Sequence, residues 1–168
     1  MARAEPDARH FEAAELRRAL GSFATGVTVV TTRAPDGRPV GMTASSFNAV
    51  SLEPPLVLWS IGRASANHAA FTTASCWAVH VLALDQRPLA EHFARRGVDR
   101  FAGIETEPGL EGLPLLAGCA ARFECRASAV HAAGDHSIMV GEVRRLLVGS
   151  EPPLVVHASR FAALGDRL

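Results

Sequence analysis

The clearest alternation of apolar and polar residues lies in the second half of the chain. Between residues 121 and 129 the odd positions are Ala, Phe, Cys, Ala and Ala, and the even positions are Arg, Glu, Arg and Ser. A period of two predicts a strand with one face in the core and the other in solvent. Residues 136–143 are apolar on both faces apart from His136, Ser137 and Glu142. We therefore expect one face of this second strand to meet a ligand or another subunit.

Similar apolar and β-branched runs predict a series of strands separated by turns. The predicted strands cover residues 26–32, 40–50, 56–61, 76–83, 120–130, 136–148 and 154–157. Helical spacing predicts short helices at residues 12–20, 64–73 and 87–96, and residues 105–115 form a Gly/Pro-rich loop. Many strands with turn-rich joints and short helices favour a mainly β, antiparallel barrel over a doubly wound parallel sheet.

The chain is predicted to form one domain, since its 168 residues fall within the common range of about 100–200. Residues 1–10 are predicted to be a flexible tail, and residues 11–168 the domain itself. Trp59 and Trp77 are expected in its core. Cys76, Cys119 and Cys125 form no CxxC pair, so we expect buried, inert thiols rather than disulfides or a zinc site. Free thiols fit a cytoplasmic location.

Charge and composition exclude several classes of function. The 17 basic and 17 acidic residues cancel, whereas nucleic acid or an anionic membrane would favour a basic surplus. All the basic residues are Arg and Tyr is absent, which excludes a Schiff-base lysine, a P-loop lysine and a catalytic tyrosine. No apolar run approaches the ~20 residues that span a membrane, and the charged N-terminal segment lacks the apolar core of a secretory signal.

The common catalytic and nucleotide-binding motifs are also missing. The sequence has no GxGxxG, no GxxxxGK[ST], no GxSxG and no HExxH. A Rossmann site, a P-loop, a serine-hydrolase elbow and a zincin site are therefore unsupported, and no metal is expected. A nucleotide would have to bind through another fold.

Two polar segments between the strands are candidates for binding a flat ring with a phosphate tail. Thr43, Ala44, Ser45 and Ser46 place hydroxyl and amide donors where such a ring needs them, although strands often end in small polar residues. Arg63, Ser65 and Asn67 precede a predicted helix, and Ser65 is expected as its N-cap. The same segment could hold a phosphate, which favours free N–H groups at a helix start.

Two further positions have a structural and a functional interpretation. His136 follows Asp135 and could simply be hydrogen-bonded in a turn, or it could contact a substrate ring. Arg100 and Phe101 could be a surface Arg beside a core Phe, or part of a loop that closes over a cofactor tail.

Taken in order, these segments resemble the flavin reductase family of FMN-binding split barrels, the reductase components of two-component flavin monooxygenases. The resemblance covers residues 16–165 and rests on LRRALGSFATGVTVVTT, DGRPVGMTASSFNAVSLEPPLVLWSI, residues 63–68, WAVHVLALDQRPLAEHFA, DRFAG, LPLLAGCAARFEC, GDHSIMVGEV and PLVVHASRFAALG. It implies a homodimer of Greek-key split barrels with flavin near the subunit interface.

The resemblance also implies the chemistry and the residues of the site. The flavin, FMN or FAD, is expected to contact Thr43, Ala44, Ser45, Ser46, Ser60, Ser65 and Asn67, with Arg100 and Phe101 nearby; Arg63 is expected at its phosphate. NADH, or alternatively NADPH, would place its nicotinamide against His136 and transfer hydride to the flavin. Reduced flavin would then diffuse to a separate monooxygenase. The alternatives are a flavin-binding electron carrier or sensor without turnover, and an oxidase of the pyridoxamine-phosphate type.

Overall fold

A computed structural model describes residues 11–165 as a mainly antiparallel β structure with three short α-helices. The predicted flexible tail at residues 1–10 lies outside the described residues. In chain order the elements are α1 (Ala13–Gly21), β1 (Thr25–Gly26), β2 (Thr28–Arg33), β3 (Pro39–Ala44), β4 (Asn48–Leu52), β5 (Pro55–Gly62), α2 (His68–Thr72), β6 (Cys76–Val81), α3 (Arg87–Ala94), β7 (Glu107–Pro108), β8 (Pro114–Leu115), β9 (Ala121–Ala133), β10 (His136–Val148), β11 (Val155–His157) and β12 (Arg160–Ala162).

The largest sheet has seven strands in the order β3-β2-β6-β9-β10-β5-β4. Consecutive strands β3 and β4 therefore occupy its two opposite edges. If the sheet were flat, six spacings of about 4.8 Å would separate those edges by about 29 Å. The chain from Ala44 to Asn48 can span only about 14 Å. The sheet must therefore curl until its edges approach, which produces a barrel.

A serine hydroxyl joins the two edges of the curled sheet. Ser46 lies in the bend between β3 and β4, and its Oγ accepts a hydrogen bond from the Ser60 amide at 2.9 Å. The same hydroxyl donates to the Ser60 carbonyl at 3.1 Å. Ser60 belongs to β5, the neighbour of edge strand β4. The bend that carries the predicted Thr43–Ser46 site residues thus also closes the barrel.

The barrel interior is apolar and aromatic. Trp59, Phe71 and Trp77 are fully buried, as predicted for both tryptophans. Trp59 meets Phe71 and Trp77 edge to face, with ring centroids 4.8 Å and 6.0 Å away, an arrangement that the ring quadrupoles favour. Because Phe71 lies on α2, this packing fixes that helix against the barrel.

Two predicted elements on either side of β5 differ from the structure. Residues 40–50 form two strands rather than one, because the chain bends at residues 45–47 and crosses from one sheet edge to the other. The helix predicted at residues 64–73 is confined to His68–Thr72. Its N-cap is Asn67 rather than Ser65, because residues 63–66 form turns, with the Ser65 amide bonded to the Gly62 carbonyl.

The face of β9 predicted to meet solvent is partly covered. Glu124 is only 5% exposed, because residues 105–115 fold over it and contain the short β7–β8 hairpin rather than a plain loop. The Leu110 amide donates to a Glu124 carboxylate oxygen at 2.6 Å. Arg122 and Arg145 each lie 3.9 Å from this carboxylate, so the buried charge has a hydrogen-bond donor and opposite charges beside it, as it requires.

The three cysteines are free and buried, which confirms the prediction of structural thiols. Burial raises the pKa of Cys119 to about 11 and that of Cys125 to about 12. Burial also raises the pKa of Cys76. Each thiol is therefore kept protonated and unreactive at neutral pH.

Among residues 11–165, no helix is long and apolar enough to cross a membrane.

Candidate functional site

Segments that are distant in sequence meet at the carbonyl of Gly41, on strand β3. The Asn67 side-chain amide donates to this carbonyl at 3.3 Å, and the Arg100 guanidinium donates to it at 3.0 Å. Asn67 precedes α2, whereas Arg100 lies in the segment after α3. The structure therefore brings together two of the predicted tail-binding residues, which are 33 positions apart in sequence.

Gly41 is needed at this point because the surrounding side chains leave no room for a larger residue. A Cβ built on Gly41 would lie 2.7 Å from Phe93 Cε1 and 3.2 Å from Phe101 Cε2. The Phe93 and Phe101 rings pack edge to face with centroids 5.2 Å apart. Phe101 therefore has a packing role. Gly41 is the first residue of the GMTASS segment, but the sequence does not reveal that a glycine is needed there, because the need arises from a contact with Phe93 of α3.

A small polar pocket of about 60 Å³ opens beside this junction. Its lining residues are Arg38, Pro39, Val40, Gly41, Asn67, Val98, Asp99, Arg100 and Phe101. Two guanidinium groups border it, and burial lowers the pKa of Arg100, with a smaller contribution from the neighbouring Arg96 charge. Arginine remains protonated in proteins even so. The pocket therefore offers cationic and amide donors suited to an anionic group, beside the Asp99 carboxylate, which accepts a hydrogen bond from the Phe101 amide at 3.0 Å.

Some polar groups in and before the bend after β3 are hydrogen-bonded within the protein, and others are exposed to solvent. Thr43 donates its hydroxyl proton to the Ala90 carbonyl of α3 at 2.6 Å, and Ser46 is bonded to Ser60. The side chain of Ala44 is buried, while Ser45 is exposed. Residues 45–47 lie between the last register pair of β3 and the first of β4. Their backbone amides therefore do not pair with a neighbouring strand and can donate hydrogen bonds to a ligand.

The loop between β5 and α2 lies against the start of β10. The Arg63 amide donates to the Asp135 carbonyl at 2.8 Å, and the Arg63 side chain is exposed. Ser65 is partly buried, and its Oγ accepts a hydrogen bond from the Asn67 amide at 3.3 Å. Arg63 and Asn67 thus extend the candidate site from the Asp135 turn to the pocket beside Gly41.

His136 is the first residue of β10 and pairs with Gly62 across the ladder. Its Nδ1 lies 2.7 Å from an Asp135 carboxylate oxygen, and its side chain is 49% exposed. This hydrogen bond and the His136 charge hold the pKa of Asp135 below its usual range. The other ring nitrogen, Nε2, lies 3.7 Å from the position of a Cβ on Gly62. The ring thus stands over the Gly62 backbone, with Nδ1 oriented by Asp135.

The predicted residues therefore fall into connected groups. Arg63 adjoins His136 through Asp135, Asn67 adjoins Arg100 and Phe101 through Gly41, and Ser46 adjoins Ser60. Sequence reasoning missed Gly41, Arg38, His68 and Ser137, which line or support these groups. Within residues 11–165 no group of three His, Cys, Asp or Glu side chains could hold a metal ion.

Comparisons with known proteins identify the family to which these features correspond. The family described as "Flavin reductase like domain" matches residues 20–165. The chain is 50% identical over 145 residues to FMN reductase (NADH) SmoA of Agrobacterium fabrum, covering 86% of this chain and 82% of that protein.

A second relative is the reductase component of the flavin-dependent trigonelline monooxygenase of Acinetobacter baylyi, which is 47% identical over 129 residues. The matched region covers 77% of this chain but 42% of that longer protein. The solved structure of the Streptomyces globisporus NADH:FAD oxidoreductase SgcE6, in complex with NAD and FAD fragments, superposes with a TM-score of 0.85. It is 38% identical and covers 98% of each chain.

Proposed function

The chain belongs to the flavin reductase-like domain family, and on that premise we propose that it is an NADH-dependent flavin reductase acting on FMN or FAD. When bound, NADH supplies the hydride and the flavin ring accepts it. The chain's own contribution is to bind both molecules, to orient them and to limit their movement.

The polar edge of the flavin ring is proposed to lie against the bend at residues 45–47. The uncommitted amides there, together with the exposed Ser45 hydroxyl, supply donors for that edge. The Thr43 hydroxyl proton is already bonded to Ala90, so Thr43 serves mainly to hold β3 against α3. Ser46 and Ser60 likewise support the bend by closing the barrel.

The phosphate tail is proposed to run along residues 63–67 towards the pocket beside Gly41. Arg63, Ser65 and Asn67 provide a guanidinium, a hydroxyl and an amide on one loop, and Arg100 provides a second guanidinium from the opposite side. Guanidinium groups suit this task because their paired N–H donors match phosphate oxygens. Phe101 packs the Arg100 segment against Phe93 and so supports the far wall of the pocket.

The nicotinamide ring of NADH is proposed to contact His136. Its imidazole is half-exposed, is oriented by Asp135 and stands over the Gly62 backbone. No general acid is required for hydride transfer itself, so His136 is a binding and orienting group. Replacing His136 is therefore expected to impair the use of NADH rather than the binding of flavin.

The observation that carries this proposal is the continuity of donors from the 45–47 bend, through the 63–67 loop, to His136. The test is NADH oxidation under air, followed by loss of NADH absorbance, with and without added FMN or FAD. We expect saturable turnover that depends on flavin, and the preferred flavin would emerge from the same assay. Flavin binding without NADH oxidation would indicate a carrier or sensor, whereas oxidation of pyridoxamine phosphate without NADH would indicate an oxidase.

We also propose that the chain acts as a homodimer. Several large apolar side chains are exposed on β4 and at the end of β10: Val50, Leu52, Leu146, Leu147 and Val148. Leu52 is 94% exposed, which in a monomer leaves nearly all its apolar surface in water. Contiguous exposed apolar surface is typical of protein–protein interfaces. Sedimentation equilibrium should give the mass of two chains, and a monomeric mass would refute this part of the proposal.

The names of relatives that are reductase components support a separate monooxygenase as the partner, and we propose that reduced flavin reaches it by diffusion. The three free thiols accord with a cytoplasmic location. A coupled assay with an unrelated flavin-dependent monooxygenase tests the transfer. The two proteins are separated by a dialysis membrane, reduced flavin is formed and allowed to cross without oxygen, and oxygen is then admitted as the oxidant of the monooxygenase. Product formation supports diffusion, whereas product that forms only when the two proteins share one compartment contradicts it.

A further inference from the structure

One polar contact links the proposed phosphate-binding loop at residues 63–67 to the strand that carries His136. His68 Nε2 and Ser137 Oγ share a hydrogen bond of 2.9 Å. His68 is the first residue of α2, directly after the proposed tail-binding loop, and Ser137 follows His136 on β10. Ser137 is only 6% exposed, so its hydroxyl is removed from bulk water and depends on this partner.

Ser137 lies on a rigid part of the barrel. Strand β10 is paired on both sides, with Ser137 opposite Ile61 of β5 and Ala132 of β9. Because successive side chains on a strand point to opposite faces, Ser137 faces α2 while His136 stands on the other side. The Ser137 hydroxyl is therefore a fixed attachment point for whatever approaches that inner face.

The short helix α2 is also held by contacts that do not involve β10. Phe71 anchors it in the core, edge to face with Trp59. Phe71 lies three residues after His68, on the same side of the helix. Phe71 holds α2 in the core, and the Asn67 side chain bonds its N-cap to the Gly41 carbonyl of β3. The bond from His68 to Ser137 adds an attachment to β10, the strand that begins with His136.

We propose that His68 and Ser137 are positioning residues that hold the phosphate-binding loop at a fixed place relative to His136. The inference rests on the proposed function, since it assigns residues 63–67 to the flavin phosphate. Neither residue touches the flavin in this account. Their hydrogen bond and the Arg63-to-Asp135 backbone bond attach the loop to β10 at its two ends.

The test compares FMN with riboflavin, which has the same ring and ribityl chain but no phosphate. Ser137→Ala should raise the KM for FMN about fivefold, the effect expected for one hydrogen bond, and leave the KM for riboflavin and for NADH within about twofold. Ser137→Thr keeps the hydroxyl and should restore the FMN value. Ser128→Ala, an exposed serine on the adjacent strand β9, is the matched control and should behave as wild type.

The outcomes separate this inference from the proposed function. If the wild type reduces riboflavin and FMN with equal KM, the phosphate site itself is misplaced and the inference fails with it. If the wild type prefers FMN and Ser137→Ala keeps that preference unchanged, only the positioning role is overturned. An equal rise in KM for both flavins also overturns it, because a general structural defect does not depend on phosphate. Should Ser137→Ala not fold, His68→Phe removes the same bond from the half-buried helix side.

Discussion

The barrel interior around His80 and the barrel rim around His136 show how one residue type serves two purposes. His80, on β6, is fully buried, and both ring nitrogens have partners. The Leu116 amide donates to Nε2 at 3.1 Å, so Nδ1 carries the proton and donates to the Val29 carbonyl at 3.0 Å. His136 is half-exposed, and only its Nδ1 is oriented, by Asp135.

A structural histidine and a binding histidine thus differ in whether both ring nitrogens already have hydrogen-bond partners within the protein. His80 has no remaining donor or acceptor, and burial lowers its pKa to about 4, so it is a neutral bridge between β2, β6 and the Leu116 segment. His136 retains a ring nitrogen and an open face for a ligand. Substitutions at the two positions should therefore separate stability from activity.

The largest effect is expected from His80→Leu. It leaves the Leu116 amide and the Val29 carbonyl without their partner, which should cost about 3 kcal/mol of unfolding free energy. For a chain of this size the melting temperature should fall by about 6–12 °C. Thermal unfolding measures this, with the exposed His131→Ala as control. A variant of unchanged stability that no longer uses NADH would reverse the roles assigned to His80 and His136.

The second largest effect is a pH dependence of stability that His80 causes. Its folded pKa of about 4 lies below the ordinary histidine value of 6.5, so the unfolded chain binds the proton first as pH falls. Stability should therefore decrease as pH drops through the window from 6.5 to 4 and be unaffected by this group above it. Between pH 7 and pH 5 the loss should be about 2 kcal/mol.

Denaturant unfolding of wild type and of a foldable His80 variant, at several pH values, isolates this contribution. The variant should show a flatter stability curve in the same window, because its other titrating groups are unchanged. Parallel curves for the two proteins would contradict a lowered pKa of His80, because a group with equal folded and unfolded pKa values adds no pH dependence.

A smaller effect, confined to activity, is expected from His136→Ala. The kcat/KM for NADH should fall about tenfold, equivalent to about 1.4 kcal/mol, while flavin affinity and melting temperature stay near wild type because the side chain is half-exposed. Steady-state kinetics at saturating flavin, with flavin affinity measured separately by fluorescence, checks both parts. Unchanged kcat/KM for NADH would remove His136 from the site.

The smallest effect is expected from Asp135→Asn. The amide oxygen can still accept a hydrogen bond from His136 Nδ1, and the Asp135 side chain is 95% exposed, so water screens the lost charge. The kcat/KM for NADH should fall about twofold to threefold, less than for His136→Ala. A fall larger than that of His136→Ala would mean that Asp135 itself contacts the substrate.

Much of the fold could be predicted from local patterns. The alternation at residues 121–129 and the apolar run after His136 correspond to β9 and β10. The antiparallel split-barrel class is confirmed by the sheet order and by the similarity to SgcE6. These predictions succeeded because periodicity within a strand reports directly on which face is buried.

The predictions that were wrong or missing concern residues whose structure is fixed by contacts with residues distant in sequence. The bend at residues 45–47 was predicted as strand because its small residues carry no strong turn signal, and the bend is fixed by Ser60 from the next strand. Glu124 was assigned to solvent because the covering loop at residues 105–115 lies outside its own strand. The need for glycine at position 41 likewise comes from a residue distant in sequence, Phe93, whose ring leaves no room for a Cβ.

The most direct test of the central claim is anaerobic mixing of the protein, one equivalent of NADH and excess FMN, with the flavin absorbance followed in time. We expect flavin absorbance to be bleached in proportion to the NADH consumed, with one flavin reduced for each NADH oxidised. The rate should exceed that without protein and should fall in His136→Ala. Unbleached flavin and unchanged NADH, with either FMN or FAD, would contradict it.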